Sequence, residues 1–383
     1  MRRRRGRKKQ TRGGPAGAMM HVDAPLMTPP ELDRIDALDG LRGVLAGAVV
    51  LSHTATLTYL PPSVHVPSPL EYLGWHLGAP AVDVFFVLSG YVVTRAFDTR
   101  RGPYLTFLWR RARRLLPLAW LAAALGLLVI RPLAALPHAG LDLGILAQLR
   151  QPLTAQNLTG LWTLGLNGSF RASVINPPLW TLGTELFASA LTPLLLTLVR
   201  RWRWAALIAV GLTCFIFGYG LYFPALLLPM FMLGALLHAH PVTLPRGTAV
   251  LTGVAGAALL LSRTVLGDQP DEFRYLTAFG AAGVILAARQ LTPRVLTSRA
   301  ALWLGTRSYA LYATHFAGLL AGAALLPQAP VLGAAVIGWP LSLLLAHGAH
   351  VLTARVSGVR VPDQSRITYR TAEGAAPSRG RMN

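Results

Sequence analysis

The sequence predicts an all-α protein, a polytopic transmembrane bundle of about ten spans with both termini inside, and three observations predict it. Hydrophobic residues make up 53% of the 383-residue chain and charged residues 13%, with a mean hydropathy of +0.47; soluble domains typically carry about twice that share of charge. Apolar runs recur between short polar connections, each close to the roughly 20 residues that a bilayer crossing needs. The basic residues fall in alternate connections, as the positive-inside rule requires.

The predicted spans lie near 41–60, 79–97, 115–133, 179–199, 204–222, 224–240, 248–266, 274–290, 302–324 and 331–353. With the N terminus inside, the inner segments and adjoining span ends hold about 31 of the 36 Lys and Arg residues. The outer set is Arg131, Arg150, Arg171, Arg263 and Arg274. Residues 1–35 read as a basic, disordered cytoplasmic tail, 36–354 as the membrane domain, and 355–383 as a polar cytoplasmic tail. Arg2–Arg5 resembles a signal n-region, but the first long apolar run starts only near Leu41, so no cleavage is expected. The one long connection, 134–178, reads as an outer loop with room for a short amphipathic helix.

A net charge of +21 would suit nucleic-acid binding in a soluble protein. Here the arginines flank spans, which points to anionic lipid and to topology, and no nucleic-acid partner is expected. The single cysteine, Cys214, excludes an intrachain disulfide and sits in an apolar run as a small hydrophobe. Lys8 and Lys9 are the only lysines; that bias, with abundant Ala, Leu and Gly, suits a GC-rich bacterial genome and hence a bacterial cytoplasmic membrane.

An ionisable residue inside a span costs about 2.5–3.5 kcal/mol on insertion scales, so each one is a functional candidate. The first span opens Asp39-Gly40-Leu41-Arg42 and reaches His53 eleven residues later. That interval returns to nearly the same helix face after a rise of about 16 Å, placing Arg42 at the inner edge and His53 near mid-membrane. The second span carries Asp83 near its outer end, where it could cap the helix, and Ser89-Gly90-Tyr91 near its middle. Arg110-Arg111-Ala112-Arg113-Arg114 precedes the third span and can anchor it or clamp phosphates bidentately. Glu185 stands about two turns into the fourth span, after Pro178-Leu179-Trp180, and suits general-base or orienting work. The ninth span runs Ser308-Tyr309-Ala310-Leu311-Tyr312-Ala313-Thr314-His315, and His347 and His350 lie in the inner half of the last. The histidines lack the close paired spacing of a zinc motif, so no metal is expected.

Taken together, these segments resemble acyltransferase family 3, a family of integral-membrane acyltransferases. The matching stretches are Leu38 to His53, with ten residues between Arg42 and His53; Val82 to Tyr91; Arg110 to Arg114; Pro178 to Glu185; and Ser308 to His315. They occur in the family's order over residues 36–354. Two features depart from it: Leu186 stands where a second Glu is common, and the hydrolase-like domain that some members carry after the spans is not expected here.

The resemblance implies transfer of an acyl group, often acetyl, from acyl-CoA to a hydroxyl, commonly on a carbohydrate or a glycosylated, macrolide-type acceptor. Acyl-CoA would be a donor substrate, with no tightly bound cofactor. It implies His53 as general base or transient acyl carrier and Glu185 as its orienting or acceptor-holding partner. Arg42, Arg110, Arg111, Arg113 and Arg114 would bind the CoA phosphates. Asp83, Ser89, Tyr91, Trp180, Tyr312 and His315 would line the substrate pocket. The rival reading is a proton-coupled transporter or binding protein for a small polar substrate, with its site at the midplane; the motif placement shows none of the inverted-repeat symmetry that would favour it.

Overall fold

Apolar, Leu- and Ala-rich runs close their backbone hydrogen bonds internally as helices, the form that a segment must take in lipid. The computed structural model describes residues 35–57, 72, 74, 76–100, 102–136, 145–162, 174–221, 223–266 and 273–357, and every regular element among them is helical. The expected tails 1–35 and 355–383 lie almost wholly outside the described residues. In chain order the helices are α1 (Asp36–Thr56), α2 (Gly78–Thr99), α3 (Tyr104–Leu125), the short α4 (Ile145–Arg150) and α5 (Ala155–Trp162), α6 (Leu179–Trp202) and α7 (Trp204–Leu221). After a single turn come α8 (Leu228–Ala239), α9 (Arg246–Leu266), α10 (Phe273–Leu291), α11 (Arg299–Leu325) and α12 (Trp339–Ser357). The described helices belong to one compact unit, Arg34–Asn383.

Each of the ten predicted spans coincides with a helix. Four stretches are long and apolar enough to cross a membrane by length and composition: Gly78–Thr99, Tyr104–Ala135, Leu179–Trp202 and Pro330–Val356. The helix α11 illustrates why others are less apolar. Its 27 residues include Arg299, Arg307, Ser308, Thr314 and His315, and most of its length is buried against other helices. A helix lined by protein can carry polar groups that a lipid-lined one cannot.

Two helices depart from plain α geometry. Beyond Leu125 the third helix passes through a π turn at Gly126–Ile130 before Arg131–Ala135, and Ala334–Gly338 makes a second π turn just before α12. Such turns cluster at functional sites, and both pack on α11. The long connection that follows is tied to the end of the third helix by arginines. Arg131 donates to the carbonyls of Val174 and Gln151, and Arg150 to those of Ala134 and Leu136.

Small residues set the helix spacings that matter. A Cβ on Gly43 would meet the backbone of Ala301 and Gly305, and one on Gly305 would meet that of Asp39. The α1 and α11 backbones thus lie against each other, the close approach that small residues permit between membrane helices. Gly90 of α2 and Gly234 of α8 form a second seam, each facing the partner's backbone at Phe231 and Val87. Gly90→Ala should therefore force α2 and α8 apart and cost about 1–3 kcal/mol, read as a lowered apparent Tm in detergent.

Candidate active site

Helix α1 carries His53 and α11 carries His315, and the glycine seam between the two helices lets the imidazoles meet. His53 Nδ1 and His315 Nε2 are 2.7 Å apart, with ring centroids at 5.0 Å and planes 8° apart. For nitrogens that close, near-parallel rings reach such a centroid separation only when they lie edge to edge in one plane, the geometry of an in-line hydrogen bond. His315 is fully buried, and its Nδ1 lies 3.0 Å from the Leu311 carbonyl and 2.9 Å from that of Tyr312. Carbonyls only accept, so Nδ1 carries the hydrogen and, in the neutral ring, Nε2 is an acceptor. His53 must then donate from Nδ1, which leaves its Nε2 lone pair free to take a proton. The sequence singled out both histidines, but not their pairing.

The surroundings hold this pair still. Ser342 donates to the carbonyl of His315, and Asn176, fully buried, donates to the carbonyls of Ala313 and Ala122. The indole of Trp339, next to the second π turn, donates to Thr54 beside His53. Phe316 presents its ring edge-on to both imidazoles.

Next to the pair lies a cavity lined by Arg42, Ser89, Glu185, Tyr309, Tyr312 and a wall of apolar residues that includes Phe85 and Phe86. Tyr312 belongs to both places, since it faces the cavity and its ring lies 6.3 Å from that of His315. Trp180 packs behind Phe86. The structure therefore brings Arg42, Ser89, Glu185 and Tyr312 to one cavity, with His315 and His53 behind Tyr312.

The arginine cluster lies within helix α3, not ahead of it as the sequence suggested, and helical geometry divides its members. Arg111 is buried and donates to Glu185 Oε1 at 2.5 Å and to Ser189. Arg114 lies within electrostatic reach of Arg42, Arg111, Glu185 and Tyr309. Arg110 bonds back to the carbonyl of Thr106, and Arg110, Arg113 and Arg114 are all exposed, so only Arg111 of the cluster is buried. Arg42 lines the cavity with Glu185, Arg111 holds that carboxylate, and Arg114 lies within electrostatic reach of all three; neither Arg42 nor Arg114 has a hydrogen bond or ion pair among the described residues. Glu185 is held by Arg111, and the ring partner of His53 is His315.

Two predicted pocket residues lie elsewhere. Asp83 is wholly buried, where it accepts from Arg263 (3.2 Å), Arg274 (3.1 Å) and Thr277 (2.7 Å). It ties α2 to α9 and α10. The Tyr91 hydroxyl accepts from Arg289, and its ring meets His238, which in turn bonds Asp98. Asp98 also pairs with Arg200, so this second network links α2 with α6, α8 and α10.

A family model described as an acyltransferase domain, Acyl_transf_3, matches residues 35–350, nearly the whole described region. The chain belongs to acyltransferase family 3. Among its relatives, the exopolysaccharide production protein ExoZ of Rhizobium meliloti (strain 1021) is 34% identical over 138 residues, 35% of this chain and 39% of that protein. Nodulation protein 10 of Rhizobium leguminosarum bv. viciae is 28% identical over 45% of this chain and 47% of its own length. Acyltransferase MdmB of Streptomyces mycarofaciens is 32% identical over 49% of this chain and 47% of that protein. The chain thus matches less than half the length of each of these relatives. No solved structure matches it. Family membership and the four apolar helices point to an integral membrane protein.

Sequence reasoning missed one residue of this family 3 site. Tyr309 lines the cavity, and its hydroxyl is buried with no hydrogen-bond partner among the described residues. Within the Ser308–His315 motif it was one aromatic among several, and only the cavity distinguishes it.

Proposed function

We propose that this protein is a multi-pass enzyme of the bacterial cytoplasmic membrane, with about ten spans and both termini inside. It transfers an acyl group, acetyl first among them, from acyl-CoA to a hydroxyl of a carbohydrate or a glycosylated, macrolide-type acceptor. The observation that carries this reading is a cavity lined by Arg42 and Glu185, with Arg111 and Arg114 beside them, whose lining residue Tyr312 packs near His315, the partner that leaves His53 with a free lone pair. Arg42, Arg111 and Arg114 suit the phosphates of the donor, which exists only on the cytoplasmic side. The relative named for exopolysaccharide production supports a carbohydrate acceptor, and the one named as an acyltransferase supports acyl transfer.

In the step we favour, His53 Nε2 takes the proton of the acceptor hydroxyl as its oxygen attacks the thioester carbon. The tetrahedral intermediate collapses with cleavage of the C–S bond, and the departing thiolate takes the proton back from His53. His315 fixes the tautomer and plane of His53 throughout, while Glu185 holds Arg111 in place and offers its second oxygen to a substrate hydroxyl.

The test is transfer of a labelled acetyl group from acetyl-CoA by the purified protein, with and without candidate glycans and glycosylated macrolides. No labelled product and no CoA release with any acceptor overturns the reading. Tyr309→Phe adds a finer check. Removing a buried hydroxyl that has no partner should leave the apparent Tm unchanged or raise it. If that hydroxyl bonds substrate, the same change lowers transfer about tenfold.

A further inference from the structure

We infer that Arg307, His347 and His350 form a binding site for a phosphate group, outside the cavity and between α11 and α12. Arg307 is 7% exposed, and no carboxylate pairs with it among the described residues. A guanidinium withdrawn from water without a counter-ion is costly, and an anionic ligand offsets that cost. It is nonetheless rigidly held. Its plane sits 4.3 Å over the Trp303 ring, its Nε donates to His347 Nδ1 at 3.0 Å, and its Nη1 donates to the Trp303 carbonyl and the Thr306 hydroxyl. Its Nη2 has no partner among the described residues.

The two histidines complete the set. Because His347 accepts at Nδ1, its neutral ring carries the hydrogen on Nε2 and donates from there. His350 follows one turn later on α12 and lies within electrostatic reach of Arg307, His347 and Arg114. Its ring makes no hydrogen bond to the described residues. The groups facing Arg307 and His350 are therefore basic from all three helices, α3, α11 and α12. Donors from Arg307 Nη2 and two imidazoles suit an oxyanion with several acceptor oxygens, which a phosphate has and a carboxylate lacks. In the proposed topology the site opens to the cytoplasmic side, where a phosphate arrives either on an anionic lipid headgroup or on a soluble nucleotide. The site thus goes beyond the proposed reaction and does not depend on it.

Full-length protein in nanodiscs of phosphatidylcholine alone, or with phosphatidylglycerol, separates the two sources. Retained phosphatidylglycerol is read by native mass spectrometry, and coenzyme A binding by thermal shift in the phosphatidylcholine discs. The expected result is that wild type binds one of these probes and that Arg307→Gln and His350→Gln each weaken that binding about tenfold. His350→Gln is the variant least able to disturb packing, since its ring has no partner to lose. Arg42→Gln is the control: it should weaken coenzyme A through the cavity and leave phosphatidylglycerol retention intact. Unaltered binding of both probes by both variants, or binding of neither by wild type, overturns the inference. Absence of acyl transfer by wild type bears only on the proposed reaction, because neither readout here requires turnover.

Discussion

Replacing His53 with alanine should abolish acyl transfer, by at least about 10²–10⁴-fold, while the protein inserts and binds acyl-CoA as wild type does. The magnitude follows from the arrangement. His53 supplies the one imidazole lone pair left over once His315 has spent its Nδ1 hydrogen on two backbone carbonyls and its Nε2 on His53. Alanine removes the base and leaves the guanidinium-lined cavity in place, so donor binding measured by thermal shift should persist. His315→Gln separates positioning from chemistry. It leaves the His53 ring intact but removes the in-line imidazole that fixes its tautomer, so turnover should fall by a smaller factor with the KM for donor little changed. Transfer by His53→Ala at more than a tenth of the wild-type rate would remove this histidine from the mechanism.

The largest expected loss of stability lies at Asp83. Asp83→Ala deletes the carboxylate that faces Arg263 and Arg274 among the described residues and puts an apolar methyl opposite two guanidiniums with 8% and 12% side-chain exposure. Breaking a buried pair from one side costs about 3–5 kcal/mol, read as a steep fall in apparent Tm or as loss of folded protein. Asp83→Asn should cost less, since its amide oxygen still accepts from Thr277. A substrate ligand would behave in the opposite way, losing transfer at unchanged stability. The two measurements together therefore decide whether Asp83 holds the helices or the substrate.

How far the sequence could be read depended on whether a feature was local. Apolar length is local, so each predicted span coincides with a helix. Helical register is local too, so Arg42 and His53 occur where eleven residues of α1 place them. What a residue meets across the bundle is not local. Asp83 and Glu185 look alike in sequence, both single acids in apolar runs. Asp83 faces two arginines that lie 180 and 191 residues further along the chain, whereas Glu185 reaches the cavity. Tyr309 and Tyr312 are one turn apart, and only the packing shows that the first has an unpartnered hydroxyl and the second stands between cavity and histidines. The pairing of His53 with His315 was equally hidden, because nothing in either motif names its partner.

That pairing has a bearing on how the enzyme is made. The two histidines are 262 residues apart, so at roughly 5–20 residues per second the ribosome needs about 13–50 s to supply the second after the first. Throughout that interval a nascent chain holds His53 in the membrane with no imidazole to fix its tautomer. The centre can assemble only once nearly all of the helices have been inserted. Truncated or half-synthesised chains therefore lack the paired imidazoles altogether, and any chemistry that needs the pair waits until biogenesis is complete.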